Sequence, residues 1–459
     1  MLTIIIFNQK VSRLYFVKYI LFHNMNQAVI NYNKDNSLKE MIGYVTIVLW
    51  IVWKPLTVWM FHFDSSQRLS ICFALLSLVV FFNELKNIAC RKHIWLICFV
   101  LLWGFLNALI KQSIQIEKTG FLSLVYVSIM TLIVFLVAIM MLERHFKTTL
   151  KLIGISMLIY CLIAMFSFSD ISVTNERFET EHINSNEMAF YTAIGYGIIL
   201  FRYSLKHIGL IGLFLLPIPA YITLASGSRM GLGIIFIISV GFVFSRINIK
   251  KPSSILLFVI GVTIVCYAGN YMLYNTIGGQ RLMNTQDDIN RTKQLATGTF
   301  WDLLGDRGLM YYYSWPLFVE HPITGIGLYN YKNYGWGSGE RLHTEYAVQY
   351  VENGLVGFIP FSLFIILLVT NLIKAIRRSP PGINKQALVS ILGVLGSILY
   401  ANIMLWSFDM ICVFYTYAIS YVYPRLIRKS NNVIVLNEKS NNSILSSIIS
   451  KYYRRYGNL

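Results

Sequence analysis

A chain of 459 residues with 56% hydrophobic and only 13% charged residues, and a mean hydropathy of +0.58, is not an ordinary soluble domain. Its apolar residues come in blocks long enough to cross hydrocarbon, which is the signature of a polytopic helical membrane protein. The formal charge of +18 does not mark a nucleic-acid binder, because the Lys and Arg residues lie in short segments between apolar blocks rather than on one polar domain.

In chain order, Leu2–Phe7 is an apolar run too short to span, followed by Lys10, Arg13 and Lys18 with no small-residue cleavage site. It reads as a basic amphipathic segment on the inner surface, or as an extension upstream of a start at Met25. Spans are then predicted near 41–60, 69–83, 93–111, 120–142, 150–168, 188–201, 208–225, 230–245, 254–274, 354–373, 386–404 and 407–423. With both termini inside, most basic residues fall in inner segments, among them Lys86, Arg91, Arg144, Lys147, Arg202, Arg246, Arg377 and Arg378. This distribution satisfies the positive-inside rule. The expected organisation is a basic cytoplasmic segment at 1–40, nine spans over 41–274, and a large outer loop at 275–353. Three further spans follow over 354–423, then a basic cytoplasmic tail at 424–459. Segments 169–187 and 226–229 share the outer face with the large loop.

Within the first span, Lys54 is either a functional intramembrane charge or a residue snorkelling to the outer interface where Pro55 breaks the helix. Spans two to five read as scaffold, with Asn107 their main polar feature. Asn184-Ser185-Asn186-Glu187 closes an acidic outer segment at the border of span six, where it reads as an N-cap with a dipole-compensating acid or as a polar site element. The seventh span ends in LASGSRMGLG, where Ser226-Gly227-Ser228 breaks the helix and Arg229 restarts it. A helix N-terminus opening beside a guanidinium forms an anion site, and the alternative is a plain connecting turn among head groups.

The large loop opens at Arg281. A helix is expected over Thr299–Glu320, with Arg307, Tyr311 and Ser314 near one face, and Pro322, Gly325 and Gly327 end it in a turn. His343 begins a second amphipathic stretch that places Ala347, Tyr350 and Val351 below it. The last two spans meet tightly near Leu405–Ser407, with Asp409 entering the membrane beside that turn. The cysteines Cys72, Cys90, Cys98, Cys161, Cys266 and Cys412 lie in or beside spans without a CxxC pair or metal spacing, so neither disulfides nor a metal site is expected.

The outer face therefore collects Arg229, Arg281, Arg307 and His343. Several guanidiniums suit a phosphate or diphosphate, which the planar fork binds bidentately. A neutral histidine accepts a proton from a hydroxyl, although a lone loop histidine is more commonly just hydrogen-bonded. There is no DxD, no Walker A loop, no serine nucleophile elbow and no HExxH.

SGSRMGLG at 226–233, the Arg307–Trp315 helix, EHPITGIGLYNY at 320–331 and HTEYAVQYVENGLVG at 343–357 together resemble the O-antigen ligase and polysaccharide polymerase superfamily. The resemblance is specific over roughly 180–360 and covers spans one to five only as hydrophobic scaffold. It implies an all-α polytopic fold of about 12 transmembrane helices with a large helical periplasmic loop, of the GT-C-like glycosyltransferase kind. The implied activity is a metal-independent, inverting transfer from an undecaprenyl-diphosphate-linked glycan, with no cofactor. In that reading His343 is catalytic, and Arg229, Arg307 and Arg281 hold the lipid diphosphate. Asn186, Glu345 and Ser228 are second-tier positions, Glu345 as the next candidate base. HTEY stands where relatives often have HN. Expected partners are the lipid-linked oligosaccharide, membrane lipids and a chain-length regulator, without nucleic acid, and the expected location is the bacterial inner membrane with a periplasmic site. A polymerase of O-antigen or capsule is expected, with a ligase to lipid A-core as the close alternative. A lipid-linked oligosaccharide flippase would need ionisable residues through many spans, which spans two to five lack.

Overall fold

The computed structural model describes residues 37–61, 66–111, 125–166, 185–246, 306–334, 342, 344–404 and 410–428, with scattered positions in 252–274. The described residues are helical and contain no strand. The helices are α1 (Ser37–Phe61), α2 (Ser66–Val80), α3 (Phe82–Ala89), α4 (Ile94–Ile110), α5 (Thr131–Phe166), α6 (Ser185–Ser204), α7 (Pro217–Ala225), α8 (Arg229–Phe244), α9 (Asp306–Glu320), α10 (Gly354–Arg378), α11 (Ile383–Met404) and α12 (411–428). The chain is a multi-pass membrane protein by its apolar helices.

The count of twelve crossings is not established by these helices. Among the described residues three are long and apolar enough to cross: Ser128–Met165, Gly354–Arg378 and Ile383–Ile403. A fourth is added if Leu69–Val80 and Phe82–Ala89, which meet at 88°, form one broken span. Ile94–Ile110, Gly212–Ala225 and Met230–Phe244 are apolar but shorter. Pro55 does not end α1, which runs on to Phe61. The connection predicted between two spans near 143–149 falls at a break between two helices that follow each other without a gap as α5, where His145 takes the non-helical angles φ −137, ψ 59. The chain folds back there: the Thr149 hydroxyl donates to the Met141 carbonyl at 3.0 Å, whereas eight residues of straight helix would separate them by about 12 Å.

α12 is the spine. Cys412 to Ile419 are all fully buried, as expected of a helix apolar all round. The Tyr415 hydroxyl donates to the Ile47 carbonyl of α1 at 2.9 Å, Phe414 packs edge-on to Phe135 of α5, and Tyr417 packs edge-on to Phe364 of α10.

Beside this spine, α6, α8 and α11 cross closely. A Cβ on Gly241 would lie 2.8 Å from the Gly393 Cα, and one on Gly197 would lie 2.9 Å from both Ile238 and Val394. Small residues replace the hydrophobic drive that lipid removes between helices. The pairings set direction. Gly231 sits against Ala189 and Ser239 bonds Tyr196 at 2.9 Å, so α6 and α8 are parallel. Gly233 sits against Tyr400 and Gly241 against Gly393, so α11 is antiparallel to both. The N-termini of α6 and α8 and the C-terminus of α11 therefore meet at one end of the bundle.

The opposite end is ionic. Arg91 pairs with Glu143, Arg144 with Glu84 at 3.3 Å and His145 with Glu40 at 2.9 Å. The Arg425 guanidinium feels Arg91, Glu143 and Arg428. These residues belong to the segments that the charge distribution assigns to the inner side.

Replacing Gly241 with Leu would drive a side chain into the Gly393 backbone, which cannot yield as a side chain can. Overpacking of this kind costs about 1–3 kcal/mol. Thermal unfolding in detergent should show a lowered midpoint for Gly241→Leu and a smaller loss for Gly396→Leu, where the nearest atom to an added Cβ is 3.9 Å away.

Candidate functional site

The end where α6, α8 and α11 meet also receives the described part of the large loop. The SGSR turn has the form expected from its residues. Gly227 takes φ +64, the Ser226 hydroxyl donates to the Thr223 carbonyl at 2.6 Å, and Ser228 caps α8 by accepting from the Gly231 N–H at 3.3 Å. Ser228 is buried and already committed to the cap, so its hydroxyl serves the helix end. Arg229 is the first residue of α8. In the neighbouring parallel helix Asn186 lies in the first turn with Glu187, where an acid faces the positive end of the dipole. The side chain of Arg229 lies outside the described residues.

α9 is described from Asp306 and continues through Pro316 to Glu320; the expected start at Thr299 lies outside the described residues. Arg307 lies on this helix, with its side chain outside the described residues. Tyr311 and Ser314 do share a face, and that face is buried. The Tyr311 hydroxyl donates to the Ile403 carbonyl of α11 at 3.3 Å and also engages Thr344. Ser314 bonds the Tyr350 hydroxyl at 3.1 Å. Burial pushes both tyrosine hydroxyls up from the usual tyrosine value, so they remain neutral hydrogen-bonding groups. One helix thus ties the Arg307 turn both to the end of α11 and to the residue after His343.

His343 and Arg281 lie outside the described residues, as does Asp409. The sequence neighbours of His343, Leu342 and Thr344, are buried. Thr344 caps a single turn, Glu345–Ala347, by accepting from the Ala347 N–H at 3.3 Å. The amphipathic helix expected here is only this turn plus a π-helical turn, Val348–Glu352, before the chain restarts as α10 at Gly354. Ala347 and Val351 are buried as expected, with Tyr350 half-buried. Glu345 is 0% exposed and accepts from the Gln349 amide at 2.7 Å. Gln349 in turn accepts from the Asn353 amide at 3.2 Å. A carboxylate buried and bonded in this way holds the turn.

The motif EHPITGIGLYNY is held to VENGLVG by backbone. Ile326 and Gly327 donate to the carbonyls of Val351 and Glu352 at 3.0 and 2.9 Å, and Leu355 donates to that of Pro322 at 2.9 Å. The approach is so close that a Cβ on Gly325 would stand 2.4 Å from the Glu352 carbonyl oxygen, and one on Gly354 would stand 2.3 Å from that of Ile323. Both glycines also take positive φ, which only glycine adopts at little cost. The Glu352 carboxylate, buried within this interlock, accepts from the Tyr329 N–H at 2.9 Å and the Tyr331 N–H at 3.3 Å. Asn107 of α4 donates to the carbonyls of Thr324 and Glu352, both at 2.8 Å, and the Trp103 indole donates to that of Asn353 at 2.9 Å. The roles of Glu352, Trp103 and Asn107 are not apparent from sequence position alone. The available signal was a carboxylate and an amide in otherwise apolar surroundings, which burial makes costly unless they are bonded.

Residues 212–362 match a family model described as O-antigen ligase. That range includes the SGSR turn, α8, α9 and both halves of the interlock. No curated protein matches the chain.

Glu352→Gln keeps the shape but sets an NH2 against a backbone donor and removes the charge. Hydrogen bonds to a charged group are worth about 1.5–3 kcal/mol. The variant should unfold at a lower temperature, and limited proteolysis should cut it first between residues 321 and 334, where wild type is held by the interlock.

Proposed function

We propose that this member of the O-antigen ligase and polymerase superfamily is a polymerase of bacterial surface polysaccharide, joining lipid-diphosphate-linked repeat units on the periplasmic side of the inner membrane. The observation that carries the reading is the convergence at one end of the bundle. The first turns of α6 and α8, bearing Asn186 and Arg229, stand beside the end of α11, to which Tyr311 anchors the helix bearing Arg307. Tyr311 also engages the residue after His343. Two helix N-termini and two arginines in one region favour a dianionic leaving group. The clustering of ion pairs and basic residues at the other end supports that end as cytoplasmic.

In the proposed reaction the acceptor hydroxyl of one lipid-linked repeat attacks the anomeric carbon of the growing chain from the face opposite the diphosphate. The new C–O bond forms as the bond to the diphosphate oxygen breaks, and that oxygen leaves with the electron pair. Arg229 and Arg307, with Arg281, stabilise its charge as a metal would elsewhere. His343 takes the hydroxyl proton. Glu345, hydrogen-bonded within its turn, positions the backbone on which His343 is carried. A ligase transferring the finished glycan to lipid A-core is the second reading, favoured by the description of the matching family model.

With purified protein and lipid-linked repeats, His343→Ala should lower chain extension by about 10²–10⁴-fold, and EDTA should leave wild type unchanged. Extension within a few-fold of wild type would reduce His343 to a loop residue. Arg229→Lys should lose most activity and Arg229→Ala nearly all, at unchanged protein level, since a lysine keeps charge without the bidentate fork. In a deletion strain, core plus a single repeat supports the polymerase, whereas bare core with polymer left on its lipid supports the ligase.

A further inference from the structure

Both described faces of α9 are apolar. Met310, Tyr311 and Ser314 are buried against the bundle, with Leu317 and Phe318 packed beside them. The opposite face presents Tyr312, Trp315 and Val319, continued past the helix end by Ile323, and all four are exposed, Val319 by 59% and Ile323 by 65%. Their spacing puts them in one stripe along the helix. A periplasmic helix facing water on this side would carry polar residues there.

The stripe continues into a surface whose partner is known in kind. Leu355 and Val356 donate their backbone N–H groups to the carbonyls of Pro322 and Ile323 at 2.9 and 3.2 Å. The end of α9 is therefore stitched to the first turn of α10. Down α10 the exposed residues Leu355, Ile359, Leu363 and Ile366 form a row, and only 33% of the apolar window of this spanning helix is buried within the protein. The remainder is the face that a bilayer covers. The row on α10 and the stripe on α9 meet at Ile323 and Leu355.

We propose that α9 is an interfacial helix, with the Tyr312–Trp315–Val319–Ile323 stripe seated in phospholipid at the boundary of head groups and acyl chains. Tyr and Trp favour that boundary, with the ring in apolar surroundings and the polar atom in water. Glu320, exposed beside Val319, limits the depth to the head-group level, where its carboxylate stays hydrated. A sugar-binding platform would explain the two aromatic rings but not Val319 and Ile323, which offer neither a ring face nor a hydrogen bond. On the reading of the site given above, this placement holds the Arg307 turn at the height of a lipid diphosphate, so a donor reaches it by lateral diffusion without leaving the membrane.

The test places p-benzoylphenylalanine at Val319 in the full chain, in vesicles of phosphatidylethanolamine and phosphatidylglycerol, with Leu363 of α10 as the lipid-facing comparison. After irradiation, mass spectrometry should find phospholipid adducts at both positions. Adducts at Leu363 with none at Val319 would overturn the proposal. So would capture at Val319 of a second copy of the chain, or of added repeat-unit glycan, in place of phospholipid. Labelling needs no turnover. A chain that fails as a transferase yet takes phospholipid at Val319 would sink the proposed reaction and leave the interfacial helix standing.

Discussion

The arrangement at the end of the bundle where α6 and α8 begin depends on one contact between two pieces of backbone, 322–327 and 351–356. Glycines at 325 and 354 let the two segments approach to distances that any side chain would forbid, and the Glu352 carboxylate accepts from the Tyr329 and Tyr331 N–H groups of the turn beyond. The interlock then docks on α4 through Asn107 and Trp103. A buried carboxylate and a buried amide are costly in an apolar surround unless their hydrogen-bonding capacity is used. Here they are spent on backbone groups that an irregular segment at the edge of a membrane would otherwise leave unsatisfied.

The second constraint is the close crossing of α6, α8 and α11. It is made by small residues rather than by oily ones, because lipid is already as apolar as leucine and gives helices no reason to associate. Its consequence is directional. Two parallel helices deliver two N-termini to the same place, and an antiparallel third supplies the Ile403 carbonyl that anchors α9 through Tyr311.

Ionic contacts occupy the other end, among Glu40, Glu84, Arg91, Glu143, Arg144 and His145. They close around the sharp break in α5 at His145, where the chain turns back on itself. Partly exposed pairs of this kind add little to stability. Their value lies in marking an end of the bundle with charge, so that the two ends differ in chemistry as they differ in backbone.

Much of this was legible in the residues. Composition and the blocks of apolar residues determined a helical membrane protein. The SGSR break, the cap at Ser228, the acid in the first turn of α6 and the Pro322–Gly327 turn are local events, set by φ preferences and side-chain hydrogen bonds within a few residues. Helix continuity was less legible: Pro55 is absorbed within α1, and an apolar window ran across the bend at Phe81, whereas the break at His145 fell between two windows. The roles of Asn107, Trp103 and Glu352 could not be read locally, because each is bonded to backbone far away along the chain. Only the tertiary structure decided that Glu345 is walled in by its own turn, that Tyr311 reaches α11, and that α9 is left apolar on its outer side. The sequence by itself determines what each segment must satisfy: its apolar face, its backbone donors, its charges. Which distant segment satisfies it is settled by packing, since hydropathy and local propensity carry no information about partners.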